Sequence, residues 1–299
     1  MNIVLYSLTV LIWGTTWIAI TFQLGEVPVP QSVFYRFALA ALVLLLVLRL
    51  TGRLRRIGLQ DHLFCALQGL CVFCLNFYLF YTATGYITSG LNSVVFSMSV
   101  LFNAVNGVIF FRQPLTRRLV LAAALGLAGM LCLFWPDIRG QSLNGTVLLG
   151  LGCSLLGTYG FSLGNMLSLR HQRRGLDVWS TNAYAMGYGA LLMLLIALTG
   201  GEPLVLDTSP GYLGALLYLA IVGSVVGFGV YFALVGRIGA GQAAYATLLF
   251  PLVALAISTL FEGYRWTPPA LLGLALILVG NGVMFYRRRE PSLPQAERV

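Results

Sequence analysis

The sequence predicts an all-α integral membrane protein with ten transmembrane helices, arranged as two inverted five-helix repeats. Three observations predict this fold class. Charged residues make up only 9% of the 299-residue chain, whereas soluble domains carry about 25%. The apolar residues fall into ten long runs, and an internal repeat of the sequence agrees with the distribution of the arginines.

The composition also argues against two classes of function. Apolar residues make up 59% of the chain, and the mean hydropathy is +0.87. So few charges cannot cover the surface of a soluble enzyme of this size. The net charge of +9 does not indicate nucleic-acid binding, because the arginines form short clusters between apolar runs. Lipid is therefore the expected solvent for most of the chain.

Each predicted span is a mostly apolar run of about 20 residues, the length that crosses a bilayer as a helix. Turn and helix-breaking residues separate the runs, for example Val27–Pro30, Trp135–Asp137, Gly200–Pro203 and Pro268–Pro269. The ten spans are 3–22, 32–50, 62–83, 87–111, 118–135, 144–167, 178–199, 211–235, 241–261 and 268–286. The first run lacks preceding basic residues and a following cleavage site, so we expect a retained span.

The arginines predict the orientation, because basic residues concentrate in cytoplasmic loops. With the N-terminus in the cytoplasm, 15 of the 18 arginines lie on the cytoplasmic side. Only Arg139 and Arg265 lie in outer loops, and Arg36 lies within the second span. This split favours ten spans with both termini in the cytoplasm over nine or eleven.

An internal repeat appears when the sequence is shifted by 151 residues. Residues 85–135 then align without a gap with 236–286, and 12 of the 51 positions are identical. Gly85 meets Gly236, and Gly90 meets Gly241. Five spans per half is an odd number, so the second half enters the membrane from the opposite side. We therefore expect repeats at 1–137 and 138–287, followed by a cytoplasmic tail at 288–299.

Inverted repeats are a recurring plan of secondary transporters, whose substrate site lies near the midplane between the halves. A duplicated bundle with a structural or enzymatic role is the alternative interpretation. The spans contain no Asp, Glu or His in the middle of the membrane from which to build a catalytic centre. Cys71 and Cys74 form a C-x-x-C pair without a nearby His or second pair, so we interpret them as apolar packing residues. The sequence therefore predicts no enzyme, metal site, catalytic residue or cofactor.

Several short motifs occur in a fixed order along the ten spans. They are Trp13-Gly14, the Arg36-Phe37-Ala38 start of span 2, the glycine pairs at 85/90 and 236/241, Pro251, and Phe261-Glu262-Gly263. This order resembles the drug/metabolite transporter superfamily, in its EamA-type branch of ten-helix bacterial exporters. The aromatic spans 3 and 4 are most similar to YddG-type exporters of aromatic amino acids. The first half departs from the pattern, because Phe111 stands at the site of Glu262 and Val100 at that of Pro251.

The resemblance implies a basket-like bundle in the bacterial inner membrane, with a central cavity lined mainly by spans 1, 3, 4, 6, 8 and 9. Polar and aromatic residues of these spans are the candidates for the substrate cavity. In span 4, one helical stripe contains Asn92, Phe96, Ser99, Asn103 and Asn106. The aromatic candidates are Trp13, Trp17, Tyr78, Tyr81, Tyr159, Tyr231 and Tyr245. Interhelical hydrogen bonding of the stripe and simple packing of the rings are the competing interpretations.

Two further residues have distinctive positions. Arg36 lies six residues after Pro30, about 9 Å along a helix from the outer boundary. It can snorkel to that surface, bond to carbonyl groups between helices, or hold a substrate carboxylate. Pro251 removes a backbone hydrogen bond in the middle of span 9, so we expect a bend that serves as a hinge.

These observations predict an exporter of small metabolites, foremost aromatic and other neutral amino acids, that works by alternating access. Because no mid-membrane acid or histidine is available as a proton relay, we expect facilitated transport without ion coupling. The alternative is an exporter of other metabolites or cationic drugs coupled to protons, for instance through Glu262. A membrane enzyme and a partner subunit are more remote alternatives. The expected partners are the lipid bilayer and a small solute, with no nucleic acid, and the sequence leaves monomer and dimer open.

Overall fold

The computed structural model describes residues 2–112, 117–133, 135, 145–201, 203–243 and 246–285. These residues form helices joined by turns and short loops, and none of them lies in a β-strand. The all-α prediction is therefore confirmed for the described part of the chain. The predicted tail at 288–299 and the predicted boundary between the repeats at 137 lie outside the described residues.

The first part of the chain forms one set of helices. They are α1 (Asn2–Thr21), α2 (Val29–Leu50), α3 (Leu59–Gln68), the π-helical segment π1 (Gly69–Asn76), α4 (Phe77–Thr84), α5 (Ser89–Phe96), α6 (Ser99–Phe111) and α7 (Arg117–Leu133). The segments α3, π1 and α4 follow one another without a break, whereas a turn at Ser97 and Met98 separates α5 from α6. Near that turn, the hydroxyl groups of Ser93 and Ser97 donate to the carbonyls of Gly90 and Val94. Such back-bonding competes with the helical ladder and bends helices.

The second part of the chain forms a similar set. It comprises α8 (Gly145–Arg173), α9 (Val178–Thr199), α10 (Pro210–Leu217), the π-helical segment π2 (Tyr218–Val226), α11 (Gly227–Ala243), α12 (Ala246–Phe261) and α13 (Pro268–Phe285). Side-chain caps fix two of the starts. The Asp177 carboxylate accepts a hydrogen bond from the Ser180 N–H, and the Ser209 hydroxyl accepts one from the Tyr212 N–H. The proline after Ser209 occupies the first position of α10, where its missing N–H costs nothing.

Seven helices among the described residues are long and apolar enough to cross a membrane. They run through Val4–Thr21, Val29–Leu50, Leu59–Thr84, Ser89–Phe111, Gly145–Arg173, Val178–Thr199 and Pro210–Arg237. Two shorter apolar helices are found at Leu249–Phe261 and Pro268–Gly280. Helices of this length and composition identify a multi-pass membrane protein.

Two pairs of helix starts recur at the spacing of the sequence repeat. Leu59 opens α3 and Pro210 opens α10, which is a separation of 151 residues. The same separation relates Arg117, which opens α7, to Pro268, which opens α13. The segments π1 and π2 begin at Gly69 and Tyr218, within two residues of the same separation, so they occupy overlapping positions in the two parts.

Helices at corresponding positions also pack against each other. Helix α7 packs chiefly on α13, and α2 packs chiefly on α9. At the first of these contacts, a Cβ added to Gly129 would lie 2.7 Å from the Gly273 carbonyl oxygen, and one added to Gly280 would lie 2.9 Å from Leu125 Cβ. Such close approach between helices needs small residues. Helices α1, α4, α5, α8, α11 and α12 form the centre of the bundle.

Two further pairs of glycines, each spaced four residues apart in spans 6 and 8, also lie at helix contacts. A Cβ on Gly160 would lie 3.0 Å from the Cys71 carbonyl oxygen, and one on Gly164 would overlap the Val72 side chain. Gly223 and Gly227 have the same relation to α1, against Thr16 and Trp13. The four glycines therefore let the central helices approach π1 and α1 closely.

Candidate substrate site

A small cavity lies at the centre of the bundle, where helices from both parts of the chain meet. Its lining residues are Trp13, Thr16, Trp17, Ile20, Arg36, Asn76, Phe77, Phe80, Phe96, Phe161, Phe228 and Phe250. Its volume of about 30 Å³ holds about two water molecules. An amino acid needs more room than this, so the helices or side chains around the cavity must move apart to admit one.

Two tryptophans of α1 organise the aromatic wall. The ring of Trp13 lies 5.1 Å from that of Phe228 and 4.7 Å from that of Tyr231, centroid to centroid. One helical turn later, Trp17 lies 5.7 Å from Phe96 at a steep angle and is stacked on Phe250 at 6.2 Å. These spacings are typical of favourable aromatic pairs. Trp13, Trp17 and Phe96 are the aromatic candidates from the sequence that line the cavity.

Arg36 of α2 is the one charged residue among the described cavity-lining residues, and only 2% of it is exposed. Its Nε donates to Ser224 Oγ at 3.0 Å, and its Nη1 donates to the Tyr81 hydroxyl at 3.3 Å. The guanidinium carbon lies 4.3 Å from the centre of the Phe77 ring, close enough for a cation–π contact. The snorkelling interpretation is wrong, because the side chain is buried inside the bundle and bonds to hydroxyl groups of other helices.

Local structure prepares both partners of Arg36. The Ser224 hydroxyl lies in π2 and donates to the carbonyl of Leu219, five residues earlier. Its oxygen is then free to accept from the arginine. The Tyr81 hydroxyl donates to Gln23 Oε1 at 2.6 Å and accepts from Arg36. Tyr81 therefore lies behind the cavity wall and positions the guanidinium group of Arg36, which is part of that wall.

Asn76 is a cavity residue that is absent from the candidates drawn from the sequence. It is the last residue of π1 and is almost fully buried. Its Nδ2 donates to the carbonyl of Gly157 at 2.7 Å. Its Oδ1 has no hydrogen-bond partner among the residues that the structure describes. An asparagine next to the aromatic residues of span 3 was the signal available in the sequence.

The polar stripe of span 4 lies mostly in a seam between helices. Asn92 Oδ1 accepts from the Ser154 hydroxyl at 2.6 Å, and Asn106 Nδ2 donates to the Ser162 hydroxyl at 2.8 Å. Asn103 Oδ1 accepts from an amide of α8, Asn165 Nδ2, at 3.2 Å. All three bonds join α5 or α6 to α8. The structure thus places these asparagines in the interhelical contact that was the competing interpretation.

The other candidates lie outside the wall of the cavity. Ser99 is buried without a described hydrogen-bond partner, and Tyr78 is half-buried. Tyr159 is 37% exposed and packs edge-on against Phe102, 5.5 Å between centroids. Tyr231 is fully buried next to Trp13, where its hydroxyl is 3.4 Å from Asn165 Nδ2. Tyr245 lies outside the described residues.

Glu262 directly follows α12, the last central helix, and Pro251 lies inside that helix. The Glu262 carboxylate accepts hydrogen bonds from the Ser89 N–H at 3.0 Å and from the Ser89 hydroxyl at 2.5 Å. It therefore links the end of α12 to the start of α5, away from the residues that line the cavity. Pro251 is buried inside α12, next to the cavity residue Phe250.

The described ion pairs and the free thiols of Cys71 and Cys74 lie away from the residues that line the cavity. Asp61, near the start of α3, pairs with Arg170 at 3.1 Å and with Arg174 at 3.2 Å. Cys71 and Cys74 are free thiols of π1. Over the described ranges, no three His, Cys, Asp or Glu side chains are grouped in a way that could hold a metal ion.

Comparisons with known proteins agree on one family. The model of the EamA-like transporter family matches residues 1–135 and 148–286. A probable amino-acid metabolite efflux pump of Salmonella typhimurium strain LT2 is 26% identical, and the alignment covers 91% of each chain. The protein of the same description from Escherichia coli K12 is 25% identical, over 93% of this chain and 92% of the relative.

Two further comparisons concern the location and the fold. YedA, an uncharacterized inner membrane transporter of Escherichia coli K12, is 25% identical over 95% of this chain and 92% of its own. One crystal structure matches with a TM-score of 0.68 and covers 95% of this chain and 96% of the solved one. Its sequence identity of 17% makes it evidence for the fold alone.

Proposed function

This chain belongs to the EamA-like transporter family, and we propose that it exports aromatic and other neutral amino acids across the bacterial inner membrane. It is a membrane transporter, as the family match and the relatives indicate. The observation that carries the choice of substrate is the central cavity, whose wall combines aromatic rings with one buried arginine. Flat apolar side chains can contact the rings, and the arginine suits an anionic group.

The proposed architecture has ten spans in two inverted repeats, with both termini in the cytoplasm. The 151-residue separation between corresponding helix starts supports the repeats. The packing of α7 on α13 and of α2 on α9 supports a symmetric arrangement of the two parts. The distribution of the arginines supports the orientation.

Transport proceeds by alternating access in this proposal. The central cavity is too small for an amino acid, so the described conformation must open before a solute can enter or leave. Pro251 lies beside the cavity in α12, and the turn at Ser97 and Met98 interrupts the corresponding helix of the first repeat. These two irregular points are the proposed hinges, because each interrupts the regular hydrogen bonding of its helix.

The proposed transport is facilitated and not coupled to ions. No carboxylate or imidazole is present among the described residues that line the cavity. Glu262, the best candidate for a coupling acid, caps the start of α5 instead. Proton-coupled export of cationic drugs is the second candidate function. Arg36 weighs against it, since a buried positive charge repels a cationic solute.

Counterflow in proteoliposomes tests this proposal. Vesicles loaded with unlabelled phenylalanine should accumulate labelled phenylalanine while pH and membrane potential are clamped. Trp17→Ala removes a ring of the cavity and should raise the KM about tenfold, equivalent to about 1.4 kcal/mol of lost contacts. Phe22→Ala is the matched control, since Phe22 is 57% exposed near the end of the same helix and should leave the KM unchanged.

Each part of the proposal has its own contradicting result. Counterflow that requires an imposed proton or sodium gradient would overturn facilitated transport. Export of a cationic dye without counterflow of any amino acid would replace the proposed substrate class with the second candidate.

A further inference from the structure

We propose that Arg36 and Asn76 recognise the two charged ends of a zwitterionic α-amino acid in the central cavity. Arg36 binds the carboxylate, and Asn76 Oδ1 accepts a hydrogen bond from the ammonium group. This inference rests on the proposed function and deepens it, because it makes both free charged groups of the solute a condition for binding.

The charge of Arg36 is the first argument. A guanidinium group stays ionised in proteins, and a buried charge is costly unless it is paired. Throughout the described part of the chain, no carboxylate oxygen lies within 4.0 Å of it, and the two ion pairs found there belong to Asp61. Its partners are two neutral hydroxyl groups and the aromatic rings of Phe77 and Phe37. A carboxylate that enters the cavity would therefore supply the missing counter-charge.

The guanidinium group also has donors left for such a ligand. An arginine carries five N–H donors, and the two described hydrogen bonds of Arg36 use one at Nε and one at Nη1. The remaining donors include both N–H groups of Nη2. Gly223 lies beside this atom without covering it, whereas a side chain there would crowd the site, because an added Cβ would lie 3.5 Å from Nη2 and 2.8 Å from Thr16 Cγ2. A planar fork of this kind matches the two oxygens of a carboxylate.

Surrounding contacts hold the fork in place before a solute arrives. Ser224 and Tyr81 come from opposite parts of the chain and bind different nitrogens of Arg36. Gln23 in turn fixes the Tyr81 hydroxyl. A group that is already oriented loses little conformational entropy when it binds a ligand. The cluster is thus built for recognition more than for covering an unused charge.

Asn76 supplies the complementary group. Its amide orientation follows from the 2.7 Å contact with the Gly157 carbonyl, which can only accept a hydrogen bond. The unpaired Oδ1 is consequently an acceptor in a residue that lines the same cavity as Arg36. An ammonium group carries only donors and satisfies this oxygen. The rest of the described wall is apolar apart from Thr16, and it can surround an uncharged side chain.

Competition by phenylalanine analogues against counterflow of labelled phenylalanine tests the inference. Phenylalanine amide lacks the carboxylate, N-acetylphenylalanine lacks the ammonium group, and both keep the ring. With the wild-type protein, we expect the inhibition constant of each analogue to be at least about tenfold higher than that of phenylalanine, since hydrogen bonds to charged groups are lost. An amide that competes as well as phenylalanine would overturn the role of Arg36. An acetylated analogue that competes equally well would overturn the role of Asn76.

Variants then locate each preference at one residue. In Arg36→Gln, the inhibition constants of phenylalanine and its amide should become about equal. Arg49→Gln, the same change at an exposed site of α2, should keep the wild-type ratio of the two constants. Asn76→Leu should abolish the preference over N-acetylphenylalanine and leave the amide ratio intact. Slower transport with an unchanged ratio of inhibition constants would show a purely structural role and overturn the inference. Should Arg36→Gln not insert, Arg36→Lys retains a cation and must retain a preference for the carboxylate.

The same series separates this inference from the proposed function. If the wild-type protein carries 3-phenylpropionate but no amino acid, amino-acid export fails and the role of Asn76 with it. In that case, the carboxylate site stands only if Arg36→Gln abolishes the transport of the acid while Arg49→Gln does not.

Discussion

The helix α3–π1–α4 and its counterpart α10–π2–α11 share a backbone plan but differ in their polar side chains. Each contains a π-helical segment, and the two segments overlap when the repeats are aligned. Phe77 and Phe228 follow these segments at a separation of 151 residues, and both line the cavity with their ring centroids 6.0 Å apart. The residues beside them do not match. Asn76 corresponds to Gly227, and Tyr81 corresponds to Phe232.

This difference distinguishes the features that form the cavity, which both helices share, from the polar groups proposed to make it specific, which only one helix carries. The shared features are the interrupted helices and the phenylalanines, which create a central space with apolar walls. π-Helical segments are rare and are often found at functional sites. The polar groups come mainly from the first part of the chain, and the position that corresponds to Arg36 is Gly187. In the proposed architecture, a duplicated scaffold therefore carries a recognition site that is not duplicated.

The largest expected effect comes from Gly227, where the second helix has no side chain. A Cβ at this position would lie 2.6 Å from Trp13 Nε1 and 3.3 Å from Ile12 Cγ2. Overpacking of this kind costs about 1–3 kcal/mol, so we expect Gly227→Ala to displace Trp13 and lower counterflow about tenfold to a hundredfold. Gly211→Ala in α10, the first segment of the same interrupted helix, is the control, because an added Cβ there meets nothing within 4 Å. Normal transport by Gly227→Ala would mean that the second helix does not need a glycine at the position that corresponds to Asn76.

A smaller effect is expected when the first helix is made to resemble the second at Tyr81. Tyr81→Phe removes the hydroxyl that binds Gln23 and Arg36 but keeps the ring. Loss of a hydrogen bond to a charged group should raise the KM for phenylalanine about tenfold. Tyr231→Phe removes a hydroxyl whose described contact, to Asn165 at 3.4 Å, is long, so its KM should change less than about twofold. Equal effects of the two substitutions would contradict the assignment of specificity to the first helix.

The sequence predicts the all-helical character of the described chain and its multiple membrane spans, for a simple physical reason. A membrane span requires a length of apolar residues that can be read directly along the chain. A lone charge inside such a run is equally visible, and the structure places Arg36 in the wall of the cavity. Trp13, Trp17 and Phe96 also line the cavity and stay candidates for contact with the solute.

The sequence predicts the partners of polar residues poorly, because a partner lies on another helix. Asn92, Asn103 and Asn106 form a stripe on one face, but only the fold shows that this face meets α8. Asn76 lies outside any stripe and was missed. Val100 stands where the second half has Pro251, and only the structure shows that this helix is nevertheless interrupted near Ser97, where the hydroxyl groups of Ser93 and Ser97 bond to backbone carbonyls.

The hinge prediction compares the two interrupted helices directly. Pro251→Ala restores a backbone N–H inside α12, whereas the α5–α6 turn stays as it is. If bending of α12 accompanies the opening of the cavity, the maximal rate of counterflow should fall several-fold at an unchanged KM. Pro268→Ala, at the exposed start of α13, should have no effect on the rate. A wild-type rate for Pro251→Ala would show that Pro251 does not serve as a hinge.

The smallest effect is expected at Asn106, whose Nδ2, like that of Asn76, donates a hydrogen bond to α8. The structure places Asn106 in the seam, so its bond to Ser162 contributes to stability alone. Interhelical hydrogen bonds in membranes average about 0.6 kcal/mol. Asn106→Leu should therefore lower the unfolding free energy in mixed micelles by about that amount and leave the KM unchanged. Asn76→Leu, in contrast, should raise the KM. A similar increase for Asn106→Leu would contradict the distinction, because it would mean that a polar contact between helices, without access to the cavity, is enough to affect the solute.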